Sequence, residues 1–278
     1  MWKLKKPSLA DAKKDLDDVQ AVRPKITNQT IHDLEVLYEQ YDTKGFVTDA
    51  ELNVAVAAKS QEGTIQNLYA ELGKNGKLHD MRIRIRRGIM LCPMCSISVP
   101  ETLDHYMPQE AYKTLAICRL NLVPTCGTCN NLKNEKSFDS FPHVYYTQYP
   151  SVSFIEATIH VNKEQRKRTF TWEFRVKKEL VEKDLSEKIE YQWNVVMPER
   201  LDIAVVGYVN GLFENYVPKT NWGLRMYMKI EQQRAEIKYG LNDWRNALLC
   251  AMLKCEELSP LDIEYFKKQH PHEPEDRG

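Results

Sequence analysis

The middle of the chain carries two Cys-x-x-Cys pairs, Cys92-Pro93-Met94-Cys95 and Cys126-Gly127-Thr128-Cys129. Pairs at this separation are typical of one tetrahedral zinc site, because each turn presents two thiolates to the same ion. Four thiolates saturate zinc, so the pattern predicts a structural site rather than a catalytic one. A redox dithiol is the alternative that two such pairs disfavour.

The composition is that of an ordinary globular protein, with 42% hydrophobic and 28% charged residues in 278. Lys and Arg equal Asp and Glu at 39 each, so any nucleic-acid surface has to be local. The seven cysteines include two Cys-x-x-Cys pairs, and the charged residues 1–7 lack the apolar run of a secretory signal, so the sequence predicts metal-binding thiols in a reducing compartment. The longest apolar run is too short to span a bilayer. We therefore expect a cytoplasmic protein with no membrane partner.

The hydrophobic periodicity predicts an α+β fold. Helical spacing covers most of residues 27–73, and Thr48 begins one helix as a capping box with Glu51. Alternating residues in 151–161 and 169–176 predict a β-hairpin, and helical patterns follow it. We expect a helical N-terminal region over 1–80, a small core over 81–148, a hairpin with a helical C-terminal region over 149–270, and a disordered tail over 271–278.

A row of arginines precedes the first cysteine pair, in the sequence Arg82-Ile83-Arg84-Ile85-Arg86-Arg87. The alternation predicts a strand with its arginines on one face. A solvated edge strand and a phosphate-binding strand explain this row equally well. Between residues 81 and 136 the chain has eight basic and four acidic residues, a modest local excess of positive charge.

Three polar residues lie close to the cysteines in the sequence. Asp104 and Asn130 carry the oxygen ligands that suit Mg²⁺ or Mn²⁺, and His105 can accept a proton at neutral pH. Together they are sufficient for metal-assisted phosphodiester hydrolysis. On spacing alone, a structural aspartate and a capping asparagine remain ahead of catalysis. Neighbours on a regular strand also face opposite sides, so Asp104 and His105 converge only where the strand ends or twists.

The order of these elements resembles the HNH endonuclease signature of the four-cysteine type. The match runs from Cys92 through Leu103-Asp104-His105 and Asn121-Leu122-Val123-Pro124 to Asn130 and Lys133. The resemblance implies a ββα-metal core with a structural zinc. It also implies that His105 is the general base, that Asp104 and Asn130 bind the catalytic Mg²⁺ or Mn²⁺, and that Asn121 orients the base. The expected phosphate contacts are Arg82, Arg84, Arg86, Arg87, Lys133 and Lys136.

The long additions around this motif resemble prokaryotic defence nucleases, among them the nuclease subunit of Septu-type anti-phage systems. That resemblance implies an antiviral role with an ATPase partner. The expected substrate is DNA, with RNA left open, and the sequence predicts no oligomeric state. Two alternatives stay open: a zinc-stabilised nucleic-acid-binding module without cleavage activity, and a scaffold subunit whose zinc only holds the fold.

Overall fold

A computed structural model describes residues 3–134, 138–164 and 167–271 of the chain. It divides into two compact units, one formed by Lys3–Tyr149 and the other containing the described residues from Pro150 onward. Each unit combines helices with a two-stranded antiparallel sheet, so the predicted α+β class is confirmed. The domain limits predicted from the sequence stay predictions, and most of the predicted tail, residues 272–278, lies outside the described residues.

The first unit begins with short helices that surround an apolar core. The α-helices are α1 (Leu9–Val22), α2 (Asn28–Lys44), α3 (Asp49–Val54), α4 (Val56–Ser60), α5 (Glu62–Asn67) and α6 (His79–Arg86), with a 3₁₀ helix over Leu68–Leu72. Gly45 ends α2 in the left-handed region at φ 82°. Thr48 and Glu51 form the predicted capping box at the start of α3.

The cysteine-bearing segment of this unit folds as strand, strand and helix. Strand β1 (Thr102–His105) pairs antiparallel with β2 (Leu122–Thr125), and helix α7 (Gly127–Lys133) follows directly. The irregular segment between the strands includes a 3₁₀ helix over Lys113–Leu115, and another 3₁₀ helix follows at Phe138–Ser140. Helix α7 packs against β1. This packing brings the residues after the second cysteine pair over the strand that carries Asp104 and His105.

The arginine row is helical, so the predicted strand over 82–87 is wrong. It forms the last turns of α6, where Met81 and Ile85 are buried and Ile83 is exposed. Leu78, Met81 and Ile85 recur at helical spacing and face the core. A half-buried strand with this alternation would bury Ile83 together with Ile85. In the structure Ile83 is exposed, so the alternation does not describe the buried face.

The second unit contains the predicted hairpin and a set of longer helices. The hairpin consists of β3 (Ile155–Glu164) and β4 (Lys167–Val176), paired antiparallel. A 3₁₀ helix over Lys178–Leu180 precedes α8 (Lys183–Val196), α9 (Arg200–Leu212), α10 (Asn221–Tyr239), α11 (Trp244–Lys254) and α12 (Pro260–Gln269). Phe170 stacks on Phe266 of α12 with ring centroids 4.7 Å apart. Within the described ranges, no helix is long and apolar enough to cross a membrane.

Candidate metal and nuclease centre

The four paired cysteines converge on one point of the first unit. Their sulfur atoms all lie within 4.8 Å of one another, and all four residues are buried. The Sγ atoms of Cys95 and Cys126 are 3.9 Å apart. Four thiolates at a Zn–S distance of about 2.3 Å place their sulfurs about 3.8 Å from each other, so this spacing fits a tetrahedral zinc site.

The backbone around these cysteines favours thiolates. The amide of Ile97 donates to Cys95 Sγ at 3.4 Å, and the amide of Cys129 donates to Cys126 Sγ at 3.5 Å. Ser96 turns the chain through a left-handed conformation at φ 56°. Hydrogen bonds from the thiols of Cys129, Cys92 and Cys95 lower the pKa of the Cys126 thiol, and the same bonds to Cys126 raise the pKa values of Cys129 and Cys92. These residues therefore form a closed four-cysteine site whose geometry and donor chemistry fit zinc.

The strands β1 and β2 fix Asp104 and His105 in different surroundings. Asp104 lies opposite Val123, whose side chain belongs to a small apolar cluster with Val144, whereas His105 lies opposite Leu122 of the large core. Strand β1 ends at His105. The ammonium group of Lys133 spans the two positions, since Lys133 Nζ lies 2.9 Å from Asp104 Oδ2 and donates to the His105 carbonyl at 2.6 Å.

The imidazole of His105 is held at one nitrogen. Its Nε2–H donates to the carbonyl oxygen of Ala116 at 2.8 Å, and this partner assigns the neutral tautomer with its lone pair on Nδ1. Burial lowers the pKa of His105 to about 4, and the charge of Lys133 acts in the same direction. The ring is therefore uncharged at neutral pH and can accept a proton at Nδ1.

The carboxylate of Asp104 and the amide of Asn130 lie on facing elements. Burial raises the pKa of Asp104, and the nearby Lys133 ammonium opposes that shift. Asn130 is half-buried and precedes Lys133 by three residues on α7, so both side chains share one helix face. A carboxylate and an amide oxygen are hard ligands that suit Mg²⁺ or Mn²⁺. Asp104 and Asn130 therefore have the donor chemistry of divalent-ion ligands, and a divalent-ion site at these residues stays a prediction.

Asn121 fastens the irregular segment between the two strands. Its Oδ1 accepts from the Met107 amide at 2.8 Å and from the Tyr41 hydroxyl at 3.0 Å. Its Nδ2 donates to the carbonyl oxygens of Met107 and Leu115 at 3.2 and 3.4 Å. His143 continues this network, because its ring lies 3.0 Å from the Tyr41 hydroxyl. Asn121 thus fixes the backbone close to Ala116, the residue that orients His105.

Several of the side chains predicted to contact phosphate form ion pairs or hydrogen bonds within the protein. Arg84 pairs with Asp15 at 3.0 Å, and Arg86 Nε donates to the Pro100 carbonyl at 2.8 Å. Arg82 donates to the Glu101 carbonyl. Lys133, one of the predicted phosphate contacts, is only 3% exposed, and its ammonium compensates the buried charge of Asp104. Arg87 is exposed, and Lys136 lies outside the described residues.

The structure adds two tyrosines that the sequence motif does not contain. The Tyr69 ring lies over His105 with centroids 4.5 Å apart, and Tyr41 bonds Asn121. Tyr69 precedes His105 by 36 residues and Tyr41 precedes Asn121 by 80, so no local pattern connects either tyrosine to the site.

The chain matches no protein-family model, no curated protein and no solved structure.

Proposed function

We propose that this chain is a metal-dependent endonuclease of the HNH class that hydrolyses phosphodiester bonds in DNA. The environment of His105 carries the proposal. The imidazole is buried and neutral, the Ala116 carbonyl holds one nitrogen, and the other nitrogen keeps its lone pair. A general base needs this combination of a fixed orientation and an unprotonated nitrogen.

In the proposed reaction, His105 removes a proton from water as the water oxygen attacks phosphorus. The bond between phosphorus and the leaving 3′-oxygen breaks, the leaving oxygen takes up a proton from solvent, and His105 returns the proton that it accepted at Nδ1 to solvent. Asp104 and Asn130 would hold Mg²⁺ or Mn²⁺, which when bound stabilises the negative charge on the leaving oxygen. Asn121 keeps the strand-connecting segment, and with it the orienting carbonyl, in place through its four hydrogen bonds.

The four-cysteine zinc site has a separate role in this proposal. Cys126 is the N-cap of α7, and Cys129 lies in the first turn of the same helix. Zinc at these thiolates would fix the helix that carries Asn130 and Lys133 against β1. The substrate class, DNA rather than RNA, and a defence role with an ATPase partner rest on the family resemblance alone.

The test is cleavage of supercoiled plasmid DNA by the purified chain with Mg²⁺ or Mn²⁺. His105→Ala should reduce the rate by about 100-fold or more, since a general base contributes about 10²- to 10⁴-fold. His32→Ala is the matched control, because His32 is an exposed histidine on α2 of the same unit. Undiminished cleavage by His105→Ala would reject His105 as the base.

A zinc-stabilised nucleic-acid-binding module without cleavage activity is the second candidate. One observation favours it: Asp104 already has a cationic partner in Lys133, 2.9 Å away, so its burial has a structural explanation. The same plasmid experiment separates the two functions when binding is measured in parallel. Tight DNA binding without cleavage in either metal would support the module.

A further inference from the structure

The backbone that leads into β1 is held on its outer side by the N-terminal helical part of the unit. The Arg86 side chain donates to the carbonyl of Pro100 at 2.8 Å, and Arg82 and Tyr69 donate to the carbonyls of Glu101 and Leu103. A sheet edge normally pairs with another strand, water or a side chain. Here α6 and the preceding 3₁₀ helix supply the donors that a third strand would otherwise supply.

Tyr69 makes a second contact that the arginines do not make. Its half-buried ring lies against the imidazole of His105, with centroids 4.5 Å apart and ring planes inclined by 54°. The hydroxyl of the same side chain donates to the carbonyl of Leu103, two residues before His105. One tyrosine therefore fixes both the strand backbone and the face of the imidazole.

The two contacts of the imidazole are complementary. The Ala116 carbonyl fixes the position of Nε2 at the ring edge, and Tyr69 covers the ring face. A single hydrogen bond leaves a ring free to rock about the bond axis, whereas packing on the face restricts that motion. The two contacts together restrict the orientation of the ring and therefore of Nδ1.

We propose that Tyr69 is a positioning residue for His105 in the phosphodiester hydrolysis proposed above, on which this inference rests. Tyr69 lies outside residues 81–148, the segment that the sequence predicted as the core. The helical part of the first unit is therefore a component of the active site, through Tyr69 on the base and the arginines on the strand. Its contribution is to the rate of the chemical step rather than to DNA affinity.

The test compares two substitutions in the full chain. Tyr69→Phe keeps the ring over His105 and removes the hydroxyl, so kcat should stay within about threefold of the parent. Tyr69→Leu removes the aromatic face, and kcat should fall about 10- to 100-fold, because small misplacements of a catalytic group have effects of this order. KM for the DNA should change less than about twofold in both variants.

Tyr112→Leu is the matched control, because Tyr112 is a half-buried tyrosine of the same unit that packs against Phe138, at 6.0 Å. NMR of the His105 ring protons gives a readout independent of activity. Their ring-current shift should persist in Tyr69→Phe and disappear in Tyr69→Leu, with the fold intact by circular dichroism.

The outcomes separate this inference from the proposed function. If the parent cleaves DNA, His105→Ala does not, and Tyr69→Leu retains the parental kcat, the positioning role is rejected and the nuclease stands. The role is also rejected if Tyr69→Leu and Tyr112→Leu lose kcat equally, or if Tyr69→Phe lowers kcat as much as Tyr69→Leu does. A parent chain that cleaves no DNA with either metal overturns both proposals.

Discussion

The structure describes two antiparallel strand pairs, β1–β2 (the short hairpin) and β3–β4 (the long hairpin), and they are held together in different ways. In β3–β4 each strand has ten residues, and the aromatic side of the ribbon packs on α12, where Phe170 stacks on Phe266. In β1–β2 each strand has four residues, nearly all buried. A ribbon of that length is not stable by its own ladder. It depends instead on cross-links made by polar and metal-binding side chains.

This difference explains why buried polar and ionisable side chains cluster around the short hairpin. Asp104, His105, Asn121, Lys133 and His143 are all buried there, and each has a specific hydrogen-bond or ionic partner. A buried polar group that loses its partner is strongly destabilising, so a satisfied network permits one arrangement only. On the long hairpin, Lys163, Glu173 and Arg175 are exposed, and an ion pair there joins Arg168 to the buried Asp262 of α12 at 2.8 Å.

Removal of zinc should give the largest effect. Cys129→Ser removes one of the four converging thiolates, and structural zinc contributes about 10 kcal/mol of folding free energy in small motifs. We expect loss of bound zinc in native mass spectrometry. Hydrogen exchange should show lost protection over 102–125 while 155–176 stays protected.

Cys250→Ser is the control for this experiment, because Cys250 belongs to α11 of the second unit and to no cysteine cluster found among the described residues. It should keep zinc and the parental exchange pattern. Retained protection over 102–125 in a zinc-free Cys129→Ser protein would contradict the comparison, since the short hairpin would then be self-sufficient.

Breaking the buried ion pair of the short hairpin should give the next largest effect. Lys133→Met leaves the Asp104 carboxylate buried without its cation, and such changes destabilise by about 3–5 kcal/mol. Because burial raises the pKa of Asp104, protonation should relieve part of this loss as the pH falls. Urea denaturation at pH 7 and pH 5 measures both effects.

Asp104→Asn in the Lys133→Met background tests the cause of that loss. Without the carboxylate, no buried charge remains uncompensated, so the double variant should recover a large part of the lost stability. If the double variant is as unstable as Lys133→Met, packing of the lysine side chain rather than its charge stabilises the hairpin.

Acidification should destabilise the short hairpin selectively. Burial lowers the pKa of His143 to about 3 and that of His105 to about 4, so the folded state binds these protons more weakly than the unfolded chain. Their contribution is complete above pH 6.5 and is lost as the pH falls toward the folded-state values. Between pH 7 and 5 the loss is about 2 kcal/mol per histidine, partly offset by Asp104, whose raised pKa has the opposite sign.

Two histidine substitutions assign this pH dependence. His143→Gln should reduce the loss of exchange protection over 102–125 between pH 7 and 5 by about half, since one of two contributing histidines is gone. His160→Gln, at an exposed position of β3, should leave it unchanged. An unaltered pH dependence in His143→Gln would show that other groups account for it.

Structural features that depend on residues close together in the sequence could be predicted from it. Helix limits near Gly45 and Thr48 follow from local capping chemistry, and the β3–β4 hairpin follows from its long alternating pattern. The segment over 82–87 was misassigned because a period-two charge pattern coincided with a helix whose buried positions are Met81 and Ile85. Periodicity describes which residues are apolar, but only packing decides which of them are buried.

The candidate site was predictable only in part for the same reason. The converging cysteines are encoded by short spacings, and their convergence is confirmed. Tyr69 and the Ala116 carbonyl act through contacts between distant segments, and a carbonyl has no sequence signature at all. The family resemblance predicts a phosphate contact for Lys133, and no local pattern indicates its ion pair with Asp104, which lies 29 residues earlier.

The smallest effect is expected at an ion pair of the long hairpin. Glu156 and Arg175 lie opposite each other in the β3–β4 register, and Arg175 Nη2 lies 2.6 Å from Glu156 Oε2. Because the side chain of Arg175 is 64% exposed, solvent and salt screen the attraction. Arg175→Ala should therefore destabilise by only about 0.2–1 kcal/mol, and less in 1 M salt. A loss as large as that of Lys133→Met would show that this hairpin also depends on its polar cross-links.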